Sequence, residues 1–157
     1  MTYINGAGIT SLGNCYAYPP KFVPEDEFFD NVDPGTESGA LIFLRLSAER
    51  SKRIELRGHP PGGKMRFREC MMIILFRSTK QLSEEAGYDN DTFLDSLITA
   101  IEADKNAGAP GTVFSWGEGE LYGGEDLQLD VGLPRPIKNG VTQVNSKLLV
   151  KVLEQTT

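Results

Sequence analysis

Few side chains in this sequence could perform acid–base or nucleophilic chemistry. The chain has one histidine, His59, and two cysteines, Cys15 and Cys70. A catalytic thiol needs a base beside it, so either cysteine would have to pair with His59. His59 lies in a Gly/Pro-rich loop, which is typical of a surface histidine, and Cys70 opens an apolar run, which is typical of a core residue. We therefore expect no catalytic residues and no enzymatic activity.

The segment from Gly117 to Gly124 has the glycine content of a phosphate-binding loop. It lacks the Lys-Ser/Thr pair of such a loop, and acidic residues follow it where a phosphate requires positive charge. Its glycines are better explained by turns between strands. The acids here also lack the alternating spacing of a calcium loop: Glu118, Glu120, Glu125, Asp126 and Asp130. We expect no metal ion and no cofactor.

Charge is strongly segregated along the chain. One stretch has ten basic residues against three acidic ones, a net charge of +7, in a chain whose total is −6, so the remainder carries −13. Opposite charges on one chain favour contacts between copies or docking on a charged partner. The simpler interpretation is that these side chains line the solvent face of a hairpin. The ten are Arg45, Arg50, Lys52, Arg53, Arg57, Lys64, Arg66, Arg68, Arg77 and Lys80.

The same basic stretch suggests nucleic-acid binding as an alternative. Arg66-Phe67-Arg68 places an aromatic ring between two cations, as strands that stack bases and contact phosphates do. Against this, Phe67 alternates with Met65 and is expected to point toward the core, and the acidic remainder would repel a polyanion. Because these observations point in opposite directions, a soluble module that binds nucleic acid through this stretch is kept as the second interpretation.

The elements that position these residues fit one domain over residues 1–157. Hydrophobic residues make up 39% and charged residues 24% of the chain, as in ordinary globular proteins. The longest apolar run, Cys70 to Phe76, fits a buried strand and is too short to span a membrane. Two cysteines without metal or disulfide spacing, and a first segment without a signal-peptide pattern, suit a reducing cytosol.

Residues 1–38 are predicted to form an extended N-terminal arm. Tyr16 to Pro24 contains three prolines among aromatic residues, which favours a polyproline-like path. A purely polar disordered arm would not carry so many aromatic side chains, so we expect them to pack on this domain or on a neighbouring copy. They are Tyr16, Tyr18, Phe22, Phe28 and Phe29.

Residues 39–157 are predicted to form an α+β core of about six mainly antiparallel strands packed with one main helix. A polar N-cap at Tyr88 to Asp91 begins the helix, and Gly108 ends it. Its apolar stripe is Phe93, Leu94, Leu97, Ile98 and Ile101. A polar turn at residues 48–51 is expected between the first two strands. The strands are expected at Ala40–Leu46, Lys52–Arg57, Lys64–Arg77, Thr112–Trp116, Leu127–Val131 and within Val141–Leu153.

This layout resembles the tail terminator, or tail completion, proteins of long-tailed bacteriophages over nearly the whole chain. The resemblance rests on an N-terminal Asn14–Pro20 segment, a long central strand that runs into Arg77-Ser78-Thr79, and Gly87-Tyr88-Asp89 before a helix ending at Asp104. A strand that ends in Trp116–Glu120 and a C-terminal strand follow. Family members commonly open with a helix, whereas the three glycines of Met1–Gly13 predict a poor helix here.

The resemblance implies a structural role in the virion. Such proteins form a ring, usually of six copies, at the head-proximal end of the tail tube, end tube growth and join the tail to the head connector. The implied partners are other copies of the chain, the tail tube protein and the head connector protein, in the neck of a virion assembled in the host cytoplasm. DNA would pass through the ring without sequence-specific binding, and no membrane is involved. Other head–tail connector subunits have a similar layout and remain an alternative.

The candidate interface residues combine the basic stretch with the aromatic arm. Ring contacts join two different faces of one chain, which suits opposite charges on those faces. The basic candidates are Arg50, Lys52, Arg53, Arg57, Lys64, Arg66 and Arg68, and the aromatic candidates are Tyr16, Tyr18, Phe22, Phe28 and Phe29.

Overall fold

The fold is α+β, with one main helix on one face of a mostly antiparallel sheet. The computed structural model describes residues 1–23, 25–28, 37–53, 64–80, 83–104, 106–108, 113–116 and 127–156. The helices are α1 (Thr2–Gly6) and α2 (Ser83–Ala103), and short 3-10 turns cover Glu25–Phe28 and Lys138–Gly140. The strands are β1 (Leu12–Tyr16), β2 (Ser38–Arg53), β3 (Lys64–Ser78), β4 (Val113–Trp116), β5 (Leu127–Val131), β6 (Arg135–Pro136) and β7 (Thr142–Thr156).

Three long strands form the centre of the sheet. The strand order is β1-β2-β3-β7-β4, and β5 and β6 also pair with β7. β2 and β3 form an antiparallel hairpin from Ser38 opposite Ser78 to Arg53 opposite Lys64, and β7 runs along the other side of β3 for its full length. Only β1 is parallel to its neighbour among the pairings of the described strands. The mainly antiparallel prediction is therefore confirmed.

β2 is one strand where two were predicted. The polar turn expected at residues 48–51 is wrong, because β2 continues through this segment to Arg53. A bulge between Leu46 and Ala48 takes up one extra residue, and pairing with β3 resumes beyond it. Hydrogen bonding along β3 thus outweighs the turn preference of the local sequence.

The face of the sheet that carries α2 contains the main core. Alternate residues of β3 point to this face and are buried, in agreement with the period of a strand: Met72, Ile74 and Phe76. The Phe76 ring lies 5.9 Å from the ring of Phe93, centroid to centroid. The predicted helix stripe packs here: Phe93, Leu94, Leu97 and Ile101 are buried, while Ile98 is only half-buried. The stripe prediction is confirmed except at Ile98.

The helix begins earlier than the sequence suggested. α2 starts at Ser83, not after a cap near Tyr88, and Gly87 lies inside it. Glu84 and Glu85 supply the negative charge that favours the first turn, and burial of Ala86 fixes that turn against the core. Packing of the first turn therefore overrides the glycine.

Residues 1–16 belong to the folded core, so the predicted extended arm over residues 1–38 is not confirmed. The prediction of a poor helix at the start is wrong for Thr2–Gly6, which forms the five-residue helix α1. Tertiary contacts hold it: the Tyr3 hydroxyl donates a 2.7 Å hydrogen bond to the Ala100 carbonyl oxygen. Asn5 accepts from the Cys15 backbone N–H at 2.8 Å and donates to the Cys15 carbonyl oxygen at 3.0 Å. This amide bridge fastens α1 to β1.

The opposite face of the sheet carries a smaller apolar cluster. Phe28 is fully buried against Leu41 and Phe43, and the Arg77 guanidinium lies 4.1 Å from the centroid of its ring. The backbone of Phe28 crosses Gly13 so closely that a Cβ at Gly13 would lie 2.6 Å from the Phe28 carbonyl oxygen. A side chain at position 13 would therefore displace the 3-10 turn that contains Phe28.

Candidate functional site

The first candidate surface is the basic hairpin, which is the part of β2 and β3 from Glu49 to Arg53 and from Lys64 to Arg68. Two of its arginines have acidic partners within the chain. Arg68 Nη1 lies 3.1 Å from Glu154 Oε2, and Arg68 Nε lies 3.4 Å from Glu49 Oε2. Arg66 Nε lies 3.9 Å from Glu49 Oε1. Strand register causes these contacts, because Glu49 lies opposite Arg68 on β2 and Glu154 lies opposite Arg66 on β7. The hairpin is therefore less positive than its own sequence suggests.

Glu154 is the residue that sequence reasoning missed at this surface. It lies far along the chain, and only the pairing of β7 with β3 brings it beside the arginines. The alternation of the C-terminal strand could have indicated a sheet position for it, but not which strand it would face. Partly exposed ion pairs of this kind contribute only about 0.2–1 kcal/mol each, so Arg66 remains available to an external partner at low cost.

The other described basic candidates lie on the same hairpin. Arg50, Lys52 and Arg53 lie on β2, and Lys64 begins β3 directly opposite Arg53. The structure describes these four only by their backbone, and Arg57 and Phe29 lie outside the described residues. The strand register thus brings the basic candidates on the two strands together at one end of the sheet.

The aromatic candidates divide into two classes. Tyr16 and Phe28 pack on their own domain: the Tyr16 ring stacks on Phe43 at 5.5 Å between centroids, and Phe28 is buried. Tyr18 and Phe22 instead are 81% and 77% exposed. They lie on the connection that follows β1, which we name the aromatic loop (residues 17–23). These two exposed rings make the aromatic loop the second candidate surface.

The two thiols are poor nucleophiles in this structure. Burial raises the pKa of Cys15 to about 11, although the positive N-terminus opposes the shift. Burial and the nearby Glu154 carboxylate raise the pKa of Cys70, despite the opposing charge of Arg68 and of the N-terminus. Thiols with raised pKa values are protonated near neutral pH and react slowly. His59 and the Gly117–Gly124 segment lie outside the described residues.

A partly buried polar cluster joins the start of β2, the end of β3 and α2, and no sequence pattern predicted it. The Ser38 hydroxyl donates to Asp89 Oδ2 at 2.7 Å, and Lys80 Nζ lies 2.8 Å from the same oxygen. Ser78 Oγ lies 3.2 Å from Ser38 Oγ and accepts from the Lys80 backbone N–H. The cluster borders an open depression of about 270 Å³.

The charges of this cluster stabilise each other. Burial alone would raise the pKa of Asp89, but hydrogen bonds from Lys80 and Ser38 and the charge of Lys80 outweigh it and lower that pKa. The hydrogen bond to Asp89 raises the pKa of Lys80 against the opposing effect of burial. Asp89 and Lys80 thus form an ion pair with each other. We interpret the cluster as a structural contact that holds α2 against the β2–β3 hairpin.

Within the described ranges, no group of three or more His, Cys, Asp or Glu side chains is placed to hold a metal ion. None of the described helices is both long enough and apolar enough to cross a membrane.

A comparison with protein-family models finds no match, and a comparison with curated proteins finds no significant relative. The candidate surfaces are the basic hairpin and the aromatic loop.

Proposed function

We propose that the protein is a structural subunit that assembles with copies of itself into a ring, and that it works by assembly and not by catalysis. The observation that carries this proposal is the exposure of Tyr18 and Phe22, 81% and 77%. Aromatic side chains give large free-energy gains when a partner buries them, and they are enriched at the centres of protein interfaces. Exposed rings beside a folded core therefore favour a protein partner.

The specific role we propose is that of a tail terminator of a long-tailed bacteriophage, in the neck of the virion. The ring, of six copies, ends growth of the tail tube and binds the tail tube protein on one face and the head connector protein on the other. The net charge of −13 outside the basic stretch supports this role, because a ring with an acidic lumen repels DNA and lets it pass. Another head–tail connector subunit would share these features.

Ion pairing within the chain argues against nucleic-acid binding by the hairpin. A phosphate that contacts Arg68 would have to replace the contacts with Glu154 and Glu49, at 3.1 Å and 3.4 Å. These carboxylates would also repel the phosphate at short range. The hairpin therefore suits a protein partner better than a nucleic acid, which becomes an outcome of the test.

Charge reversal tests the basic surface. The double variant Arg53→Glu with Arg66→Glu should place like charges against an acidic partner and block assembly, with the monomer still folded because Arg66 is 38% exposed. The matched control, Arg135→Glu with Lys138→Glu, makes the same change in net charge at exposed residues outside the basic stretch and should assemble normally. Sedimentation velocity measures the assembled fraction, and circular dichroism checks the fold.

Normal assembly of the hairpin variant would show that the basic surface faces solvent and would contradict this use of its charge. Wild-type binding to DNA or RNA that weakens steeply with salt and disappears in the hairpin variant would instead support the nucleic-acid function.

A further inference from the structure

The sheet has two outer edges that no described strand covers. β1 pairs with β2 only from Ala40 to Phe43, so among the described strands none pairs with the outer edge of β2 from Leu44 to Arg53. On the other side, β5 pairs with β7 and with no further described strand. An open strand edge presents backbone N–H and C=O groups that can pair with another chain.

These two edges lie at the same height along the strands. Across β3 and β7, Leu44 is in line with Leu129 of β5, and Leu46 is in line with Leu127. Because each of the pairs β2–β3, β3–β7 and β7–β5 is antiparallel, β5 runs opposite to β2. Rotation about an axis along the strands therefore brings β5 of one copy beside β2 of the next in antiparallel orientation, at matching heights.

Apolar side chains at both edges support this pairing. Leu46 is 51% and Leu129 is 37% exposed. Leu44 and Leu127 are half-buried and pack against the core on the α2 face. Alternation along each strand puts all four leucines on that face, so contact between the edges would continue the core from one copy to the next.

Charge selects unlike edges over like edges. The β2 edge carries basic residues beyond its bulge, Arg50, Lys52 and Arg53, whereas β5 carries Asp130 and directly follows Glu125-Asp126 in sequence. Two β2 edges would repel each other, and a β2 edge attracts a β5 edge. The bulge interrupts regular pairing before the far part of β2, whereas residues 44–46 precede the bulge and are regular.

We propose that Leu44–Leu46 of one copy pairs with Leu127–Leu129 of the next, so that the sheet continues from subunit to subunit. This inference rests on the proposed function and names the strands that make the contact. The partner is a second copy of the chain, bound head to tail. Contacts of this type close into a ring when the rotation per copy divides a full turn.

A cysteine pair tests the contact directly. Arg45 and Gln128 are both exposed and are in line across the sheet, so they should be neighbours across the junction. Neighbouring positions on antiparallel strands have Cα separations of about 4.5–5.5 Å, which a disulfide can bridge. Under mild oxidation, Arg45→Cys with Gln128→Cys should give a covalent ladder beyond the dimer on a non-reducing gel. Each single variant should match wild type, whose Cys15 and Cys70 set the background.

The native mass of every variant is measured in parallel under reducing conditions. A second pair, Leu46→Cys with Leu127→Cys, serves if the first double variant does not fold or assemble. A wild-type ring with no ladder from either pair would overturn the edge contact and leave ring assembly intact. Dimers in a single variant would show pairing of like edges and would also overturn it. A monomeric wild type would overturn both this inference and the proposed function.

Discussion

Replacing Phe28 by alanine is expected to lower the free energy of unfolding by about 3–5 kcal/mol. The ring is fully buried between Leu41 and Phe43 on the sheet face opposite α2, and the Arg77 guanidinium lies 4.1 Å from its centroid. Truncation removes the buried area and leaves a cavity that the surrounding strands can fill only in part. Since domains of this size are stable by roughly 5–15 kcal/mol, the variant would lose a large fraction of its stability.

Phe22→Ala is the matched control for Phe28. It makes the same chemical change at a ring that is 77% exposed, so it should alter the free energy of unfolding by less than about 0.5 kcal/mol. Chemical denaturation followed by fluorescence measures both values. Equal stabilities for the two variants would contradict the packing of Phe28. By the proposed function, Phe22→Ala should weaken assembly instead.

Leu97→Ala is expected to lower the free energy of unfolding by about 2–5 kcal/mol. Leu97 is fully buried at the centre of the helix stripe, in the cluster that also contains Phe93 and Ile101. Its removal leaves a cavity between α2 and the sheet. This interface holds the larger of the two apolar clusters among the described residues. Thermal unfolding followed by circular dichroism should show a clear fall in Tm.

Leu133→Ala provides the same substitution at a side chain that is 79% exposed, and it should leave Tm nearly unchanged. If the Leu97 variant melts with its control, the stripe does not pack as described and the orientation of α2 is wrong.

Hydrophobic periodicity was sufficient to predict the apolar run of β3 and, except at Ile98, the buried face of α2. The apolar run after Cys70 and the spacing of Phe93, Leu97 and Ile101 each reflect burial on one side of a regular element, which sequence records directly. The elements that were predicted wrongly depend on contacts with residues that are distant in sequence. α1 is held by Ala100 and Cys15, and β2 continues past Ala48 because β3 lies beside it.

The candidate surface also has features that sequence could predict and features that it could not. Sequence reasoning placed the basic residues on a meander of antiparallel strands, because alternation and charge are local properties. It could not show that Glu154 from the last strand neutralises part of that hairpin, nor that Ser38 and Lys80 meet on Asp89. It also could not separate the buried Phe28 from the exposed Phe22, because neither ring lies in an apolar pattern with the period of a strand or a helix.

The mass of the native particle, combined with an electron-microscopic view along its axis, tests the central claim most directly. Ring assembly predicts a closed annulus whose mass is an integer multiple of the 17.3 kDa chain, six by the resemblance to tail terminators. A particle that stays at the mass of one chain at every concentration, with the fold intact, would contradict the account.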